Sequence, residues 1–104
     1  MEKYNVQLSI KAKVDFKNII SYIKYKLLEP SIAQNYAQLI KNKIKSLEYY
    51  PQRFPTIDCD LIKKYNFRKL IIKNYIVFYR INEKEKIVNV ERILYGGTDW
   101  INKL

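Results

Sequence analysis

The sequence of 104 residues has no histidine, a single cysteine, two glycines and three prolines. Without histidine, acid–base catalysis by an imidazole group is excluded. The one cysteine, Cys59, cannot form an internal disulfide, and with neither His nor a second Cys to share a metal it excludes a zinc site. We therefore expect a protein of the reduced cytoplasm that carries no metal ion.

Long apolar segments are also absent. No run approaches the roughly 18 apolar residues that a membrane-spanning helix needs, and residues 1–4 lack the apolar stretch of a secretory signal peptide. The sequence contains no paired carboxylates, glycine-rich phosphate loop or cluster of metal ligands. We expect no membrane partner and no cofactor.

Acidic residues are scarce: 10 Asp and Glu stand against 20 Lys and Arg, which gives a net charge of +10. Such a surplus predicts an anionic partner, either nucleic acid or an acidic protein. Most of the basic residues are lysine, which also serves solubility, so solubility accounts for part of the surplus.

The hydropathy pattern predicts six elements in the order β-α-α-β-β-β. The predicted strands cover residues 4–8, 67–72, 75–81 and 87–95, and apolar stripes mark helices within 12–27 and 33–47, with Ser9 as the N-cap of the first helix and Pro30 in the first turn of the second. Short turns predict a largely antiparallel sheet. The helices form an antiparallel hairpin on one face of it, within a single α+β domain of residues 1–104. The other face is expected to be open or covered by a partner.

Seven apolar side chains on these stripes and strands are predicted to form the core. They are Phe16, Ile20, Ile40, Ile44, Leu70, Val77 and Val90.

Several local strings follow one another in an order that is found in a known family. The central strings are Phe67-Arg68-Lys69-Leu70 and Asn74-Tyr75-Ile76-Val77-Phe78-Tyr79-Arg80-Ile81, and the last is Arg92-Ile93-Leu94-Tyr95-Gly96 with Asp99. Together with Val6 to Ser9, Asp15-Phe16 and Pro51 with Arg53, they cover almost the whole chain. In this respect the sequence resembles the RelE/ParE superfamily of toxins of type II toxin–antitoxin systems.

The resemblance implies an antiparallel sheet backed by two helices, held inactive by an antitoxin that wraps the toxin. It implies contact with operator DNA only through that antitoxin. It also implies one of two targets, because ParE-like members poison DNA gyrase and RelE-like members cut mRNA in the ribosome. The chain is an enzyme in the second case only.

Two positions depart from the pattern of the RelE-like nucleases. Those nucleases place an arginine after the aromatic residue that opens the third strand, where this chain has Ile76. They keep basic residues or His at the exit of the last strand, which here reads Gly96-Gly97-Thr98. We therefore favour the ParE-like activity over an mRNA endonuclease. A degenerate member that binds antitoxin without toxicity and a basic nucleic-acid-binding module are further alternatives.

Four arginines stand out in this lysine-rich chain, because arginine is retained where a planar fork of donors is needed. Arg68, Arg80 and Arg92, with Tyr95, are the candidates for catalytic groups if the protein is an enzyme. Arg68, Arg92, Tyr95 and Trp100 are the candidates for binding the target or partner. The plainer alternative is that the arginines brace strand ends, as Arg92 would with Glu91 or Asp99, and that Arg53 is a surface cation.

Overall fold

A computed structural model describes residues 2–104 and contains the predicted order of elements. The helices and strands are β1 (Asn5–Leu8), α1 (Ile10–Ser21), α2 (Pro30–Lys45), β2 (Arg68–Ile72), β3 (Tyr75–Asn82) and β4 (Ile87–Tyr95). A π-helical segment, Tyr22–Lys26, prolongs α1, and short 3-10 turns lie at Ser46–Glu48, Pro51–Arg53, Lys63–Tyr65 and Trp100–Lys103. Met1, the first residue of the predicted domain, lies outside the described residues.

Both helices begin where the sequence predicts. The Ser9 hydroxyl accepts a hydrogen bond from the Ala12 amide at 3.0 Å, which satisfies one of the free N–H groups of the first turn of α1. Pro30 opens α2, where its missing N–H costs nothing. Between the helices Leu28 takes a left-handed conformation with φ of 54°, which ends the first helical segment.

The four strands form one mixed sheet in the order β1-β4-β3-β2. β4 pairs antiparallel with β3, and β3 pairs antiparallel with β2, as the short turns predict. β1 lies parallel to β4, and their pairing ends where Leu8 meets Val90. The last five residues of β4 therefore extend beyond β1 and have no strand on that side.

A β-bulge interrupts the pairing of β3 with β4. Phe78 pairs with Arg92 and Tyr79 pairs with Val90, so Glu91 is an extra residue in β4. The extra residue changes which face the following side chains occupy. Val90 before it and Ile93 after it both pack on the helix side of the sheet.

The main core lies between the two helices and the sheet. Of the seven predicted core residues, Ile40, Ile44, Leu70, Val77 and Val90 are buried there. Phe16 and Ile20 are only partly buried and pack against the edge of this helix-side core. The prediction for Phe16 and Ile20 is thus correct about the face of α1 that they occupy and wrong about how deeply they are buried. The most buried residues of α1 are Ala12 and Ile19.

The opposite face of the sheet is covered in part, which corrects the expectation that it is open or awaits a partner. Its buried side chains are Ile57, Ile62, Phe67, Phe78 and Leu94, with Trp100, Ile101 and Leu104 packed against them. This loop-side core is built from the segment before β2 and from the C-terminal tail. The sequence prediction treated the segment before β2 as a loop and did not count its apolar residues as cover.

One buried hydroxyl joins the sheet to the segment that follows α2. Tyr79 is fully buried, and its hydroxyl donates a hydrogen bond of 2.6 Å to the carbonyl of Pro51. Burial raises the pKa of the Tyr79 phenol to about 12, although the positive charges of the nearby Arg68 and Arg53 act to lower it. The neutral hydroxyl is therefore a permanent donor at physiological pH.

Within residues 2–104, no helix is both long enough and apolar enough to span a membrane.

We predict that Ile44→Ala lowers the free energy of unfolding by about 2–5 kcal/mol, because it leaves a cavity between α2 and the sheet. The matched control is Ile32→Ala on the same helix, since Ile32 is 42% exposed and Ile44 is 7% exposed. The control should change the stability by less than about 0.5 kcal/mol. Urea unfolding followed by circular dichroism measures both, and equal midpoints for the two variants would contradict this placement of α2.

Candidate functional site

Arg92 is held by a residue of α1, not by its neighbours in sequence. Its Nε and Nη2 atoms donate to the two oxygens of Asp15 at 2.7 and 2.9 Å, and Nη1 donates to the carbonyl of Lys103 at 2.8 Å. Asp15 also accepts the Ile93 amide at 3.0 Å. The alternative that Arg92 braces a strand is thus supported, but with Asp15 as partner in place of Glu91 or Asp99.

This ion pair is largely shielded from solvent. The side chains of Arg92 and Asp15 are 18% and 11% exposed. The hydrogen bonds to Asp15 raise the pKa of Arg92 above its ordinary value, although desolvation acts to lower it. Because all three of its nitrogens already have acceptors, Arg92 has few donors left for a ligand.

Arg68 donates from Nη1 to two carbonyls, at 3.0 Å for Gln52 and 2.6 Å for Phe54. It therefore fixes the turn after α2 to the start of β2. Arg53 donates to the carbonyls of Tyr49 and Tyr50 at 2.5 and 3.0 Å. Arg53 thus has a structural task, because it satisfies carbonyls beyond the end of α2.

Arg80 is the candidate arginine with the most free donors. Its Nε donates to the Tyr65 carbonyl at 2.9 Å, and its guanidinium lies 5.9 and 5.6 Å from the ring centroids of Tyr65 and Phe67. Within the described part of the chain, neither Nη atom donates a hydrogen bond. Arg80 also pairs in register with Asn89, which pairs with Gln7, so a polar row crosses the uncovered part of the sheet face.

The two aromatic candidates at the end of the chain lie on opposite faces of the sheet. Trp100 packs on Phe78 in the loop-side core, with ring centroids 5.1 Å apart. Tyr95 is 55% exposed and meets Tyr75 edge-to-face, with centroids 6.0 Å apart. The structure therefore does not bring Tyr95 and Trp100 into one site.

The position of Gly97 explains part of the unusual Gly96-Gly97-Thr98 sequence that follows β4. A Cβ atom at this position would lie 2.6 Å from Cε2 of Tyr95, which is closer than packed atoms come. The Tyr95 ring thus folds back over the chain because residue 97 has no side chain. At Gly96 a Cβ atom would lie 3.3 Å from the Asn74 carbonyl and 3.7 Å from Cδ1 of Ile76.

The two positions that depart from the nuclease pattern are therefore neighbours in space. Ile76 and Gly96 line a small cavity of about 250 Å³ that we name the exit pocket. Its full lining is Ile71, Lys73, Asn74, Ile76, Tyr95, Gly96 and Gly97. Lys73 is the one charged residue in this lining and Tyr95 is the one other titratable residue, so the exit pocket has neither an imidazole nor a carboxylate to act as acid or base.

A second feature is a cleft between α1 and the end of β4, which we name the tyrosine cleft. Its volume is about 480 Å³, and its lining is Asp15, Asn18, Ile19, Tyr22, Tyr75, Ile93, Leu94 and Tyr95. Burial raises the pKa of Tyr75, and the neighbouring Tyr36, Tyr22 and Tyr95 raise it further. Tyr22 and Asp15 were not among the candidates from sequence, because Tyr22 lies in none of the recognised strings and Asp15 contributes only to the resemblance of the first helix.

A third feature lies on the other side of α1, along the outer edge of β1. This lysine groove has a volume of about 470 Å³, and its lining is Lys3, Tyr4, Asn5, Val6, Leu8, Phe16, Lys41, Ile44, Lys45 and Glu48. Lys3 forms a salt bridge of 3.1 Å with Glu48. Lys41 and Lys45 form no salt bridge within residues 2–104.

In the part of the chain that the structure describes, no three acidic, His or Cys side chains come together as a metal site would require. Cys59 is a partly buried free thiol beside the loop-side core.

Comparison with known proteins places the chain in a family. The sequence profile of the family described as the ParE toxin of the type II toxin–antitoxin system parDE matches residues 6–100. No curated protein is similar enough in sequence to match.

Among solved structures, the chromosomal ParDE system of P. aeruginosa is similar with a TM-score of 0.71 and 18% identity, over 89% of this chain and 96% of that one. The RelBE2 toxin–antitoxin complex of Mycobacterium tuberculosis gives a TM-score of 0.65 and 19% identity, over 91% and 93% of the two chains. A RelE toxin mutant of E. coli in the free state gives 0.63 and 12%, over 97% and 92%. At these identities the structures show a common fold, while the profile shows the family. The protein is a type II toxin and belongs to the ParE toxin family.

Proposed function

We propose that this toxin arrests growth by a ParE-like mechanism, the poisoning of DNA gyrase, and that it does not cut mRNA. The observation that carries the proposal is the composition of the exit pocket. Ile76 and Gly96 face each other where RelE-like nucleases carry basic groups. Ile76 and Gly96 offer no cation to stabilise the extra negative charge of a phosphate transition state, which leaves Lys73 as the one cation of the exit pocket.

The arginines support the same proposal. A nuclease without histidine would have to use arginine, lysine, tyrosine or carboxylate groups, and it would have to place several of them around one phosphate. Arg92 is committed to Asp15, and Arg68 is committed to the carbonyls of Gln52 and Phe54. These contacts favour a toxin that acts by binding.

We further propose that the target meets the loop-side face of the sheet through Arg80, whereas Arg68, which pairs in register with Tyr79 on the helix side, is a candidate for a separate surface. Arg80 is exposed and keeps both Nη atoms free, and Arg68 keeps its Nε and Nη2 atoms free of protein partners among the described residues. A guanidinium offers a planar fork that binds carboxylates or phosphates by two hydrogen bonds. Tyr95 and Trp100, which lie on opposite faces, would then belong to different surfaces.

The antitoxin is proposed to bind at the lysine groove. β1 is an edge strand, so its outer backbone groups have no strand partner, and Phe16 and Ile44 give the groove apolar walls. Lys41 and Lys45 provide uncompensated positive charge. This combination fits an acidic segment with apolar anchors. Operator DNA would be contacted only through the antitoxin.

We predict that cells which express the toxin without antitoxin lose DNA synthesis first and then form filaments, while their mRNA stays intact. The physical reason is that the exit pocket lacks the groups needed for phosphodiester cleavage. Pulse labelling with thymidine and with an amino acid measures both syntheses, and a supercoiling assay with purified gyrase tests the target directly. Co-expression of the antitoxin is the control. Early loss of protein synthesis with cut mRNA would establish the ribosome as the target instead.

Arg80→Ala should abolish growth arrest with little change in the melting temperature, because the Arg80 side chain is exposed and Phe67 stays packed in the rest of the loop-side core. Arg92→Ala and Asp15→Ala should each lower the free energy of unfolding by about 1–3 kcal/mol, since each leaves a shielded hydrogen-bonding group without its partner. Thermal melting and growth arrest are scored for all three variants. A toxic Arg80→Ala variant that folds normally would remove Arg80 from the target surface.

The comparison of Arg92→Ala with Asp15→Ala separates a functional role of Arg92 from a structural one. If Arg92 only braces the fold, the two variants lose toxicity in proportion to their loss of stability. If Arg92 contacts the target, Arg92→Ala loses toxicity while Asp15→Ala at equal stability keeps it. Truncation after Gly97 is unsuitable for this purpose, because it removes Trp100 from Phe78 and exposes the loop-side core.

Antitoxin association should slow roughly 10-fold or more between low and high ionic strength, because salt screens the attraction to the +10 toxin. The double variant Lys41→Gln/Lys45→Gln should slow association more than Lys64→Gln/Lys84→Gln, which removes the same charge outside the groove. Stopped-flow or surface-plasmon measurements give both rates. Equal rates for the two double variants would place the antitoxin elsewhere, and a flat salt response would refute the electrostatic part.

A further inference from the structure

The tyrosine cleft differs in chemistry from the rest of this basic protein. Its lining contains no lysine and no arginine, although the chain has 20 such residues. Its one charged residue, Asp15, already accepts hydrogen bonds from Arg92 and from the Ile93 amide. Recognition in this cleft therefore depends on the tyrosine rings and on uncharged hydrogen-bonding groups.

Three rings and one backbone carbonyl face the cleft. The hydroxyl groups of Tyr22, Tyr75 and Tyr95 form no hydrogen bond with any other described residue. The Ile93 amide points away from β3 and towards Asp15, so Ile93 belongs to a pair that does not hydrogen-bond with β3. Its carbonyl then points to the same outer edge, where β1 has already ended.

This set of groups is complementary to a cation. The face of an aromatic ring attracts a guanidinium or ammonium group, and a backbone carbonyl accepts its N–H groups. An arginine side chain can satisfy both needs, because its plane stacks on a ring while its edge donates hydrogen bonds. The net charge of the protein opposes a cation only weakly at this site, since salt at physiological strength screens charges beyond about 8 Å.

A nucleobase fits the cleft less well. Tyr75 and Tyr95 stand at an interplanar angle of 72°, which leaves no pair of parallel rings for a base to enter. The lining also offers no cation to a phosphate group. An acidic side chain could accept only from the neutral tyrosine hydroxyls and the Asn18 amide, and it would lie near the Asp15 carboxylate, so it is disfavoured as well.

The cleft is open on the side from which a partner could insert a side chain. Tyr22 and Tyr95 are each about half exposed, at 51% and 55%, while Tyr75 forms the partly buried floor. Gly97 holds the Tyr95 ring in this position, because a Cβ atom there would displace it. Tyrosine-rich surfaces of this kind are enriched at protein interfaces.

We propose that the tyrosine cleft is a binding site for the guanidinium of an arginine that a partner protein presents to the toxin. The site lies on the opposite side of α1 from the lysine groove and shares Tyr95 with the exit pocket. The proposal does not depend on which target the toxin inhibits, because the cleft can be tested on the isolated toxin.

The test is a titration of the isotopically labelled full-length toxin with N-acetyl-arginine amide, followed by NMR of the tyrosine ring resonances. N-acetyl-citrulline amide, a neutral molecule of nearly the same shape, is the matched control ligand. We expect the arginine derivative to shift the ring signals of Tyr22, Tyr75 and Tyr95 in a saturable way, and the citrulline derivative to bind at least several-fold more weakly.

Variants then test the rings themselves. Tyr95→Leu should weaken binding roughly 2- to 30-fold, which corresponds to the loss of one cation–ring contact. Tyr95→Phe keeps the ring and should bind as the wild type does. Gly97→Ala should weaken binding by displacing the ring without removing it. Tyr25→Leu removes an exposed tyrosine that does not line the cleft, and it should change nothing.

Three outcomes would overturn the proposal. Equal affinity for the arginine and citrulline derivatives would show that the cleft does not recognise charge. Shifts confined to exposed acidic residues such as Asp58 and Asp60 would show non-specific attraction. Stronger shifts of the same tyrosines by adenosine monophosphate would identify a nucleotide site. If Tyr95→Leu alone proves unstable, Gly97→Ala still decides whether the position of the Tyr95 ring is required.

Discussion

The carboxylate of Asp15 closes the edge of the sheet that β1 leaves unpaired. β1 ends at Leu8, while β4 runs on to Tyr95, and an unpaired strand edge of that length would invite pairing with another chain. Asp15 accepts the Ile93 amide, and the Ser9 hydroxyl donates to the carbonyl of Glu91 at 2.7 Å. Ser9 and α1 thus provide hydrogen bonds to the part of β4 that lies beyond the end of β1. Because Arg92 also reaches Lys103, the same carboxylate fixes the helix, the last strand and the tail relative to one another.

The position of α1 in turn creates two grooves of opposite chemistry. On one side of the helix Phe16 meets the edge of β1 and the lysines of α2, where an acidic segment fits. On the other side Asn18 and Ile19 face the tyrosines at the end of β4, where positive side chains are absent from the lining. The two sides of α1 therefore offer separate surfaces of different chemistry. A shift of α1 would alter both grooves together.

Sequence reasoning predicted the order of elements, the cap at Ser9, the start of α2 at Pro30 and most of the helix-side core, because each depends on local chemistry or periodicity. It did not find the contact of Asp15 with Arg92, which joins residues 77 positions apart. Nor did it find the part of the loop-side core formed by Ile57 and Ile62, since these residues lie in a segment without periodicity. The functional roles assigned to the arginines, Tyr95 and Trp100 stay predictions. The structure shows which of these side chains have free hydrogen-bond donors or exposed surface.

The bulge at Glu91 determines which segments of the chain can change in length without disturbing the sheet. Before the bulge Val88 and Val90 face the helices, and after it Ile93 does. Loss of one residue here would turn every later side chain of β4 over, sending Tyr95 towards the loop-side core and Leu94 towards α1. The segment at residues 58–66 contains no strand, so its side chains do not have to alternate between two faces of the sheet. Relatives of this toxin can therefore differ by insertions and deletions before β2, while the last strand must keep its residue count.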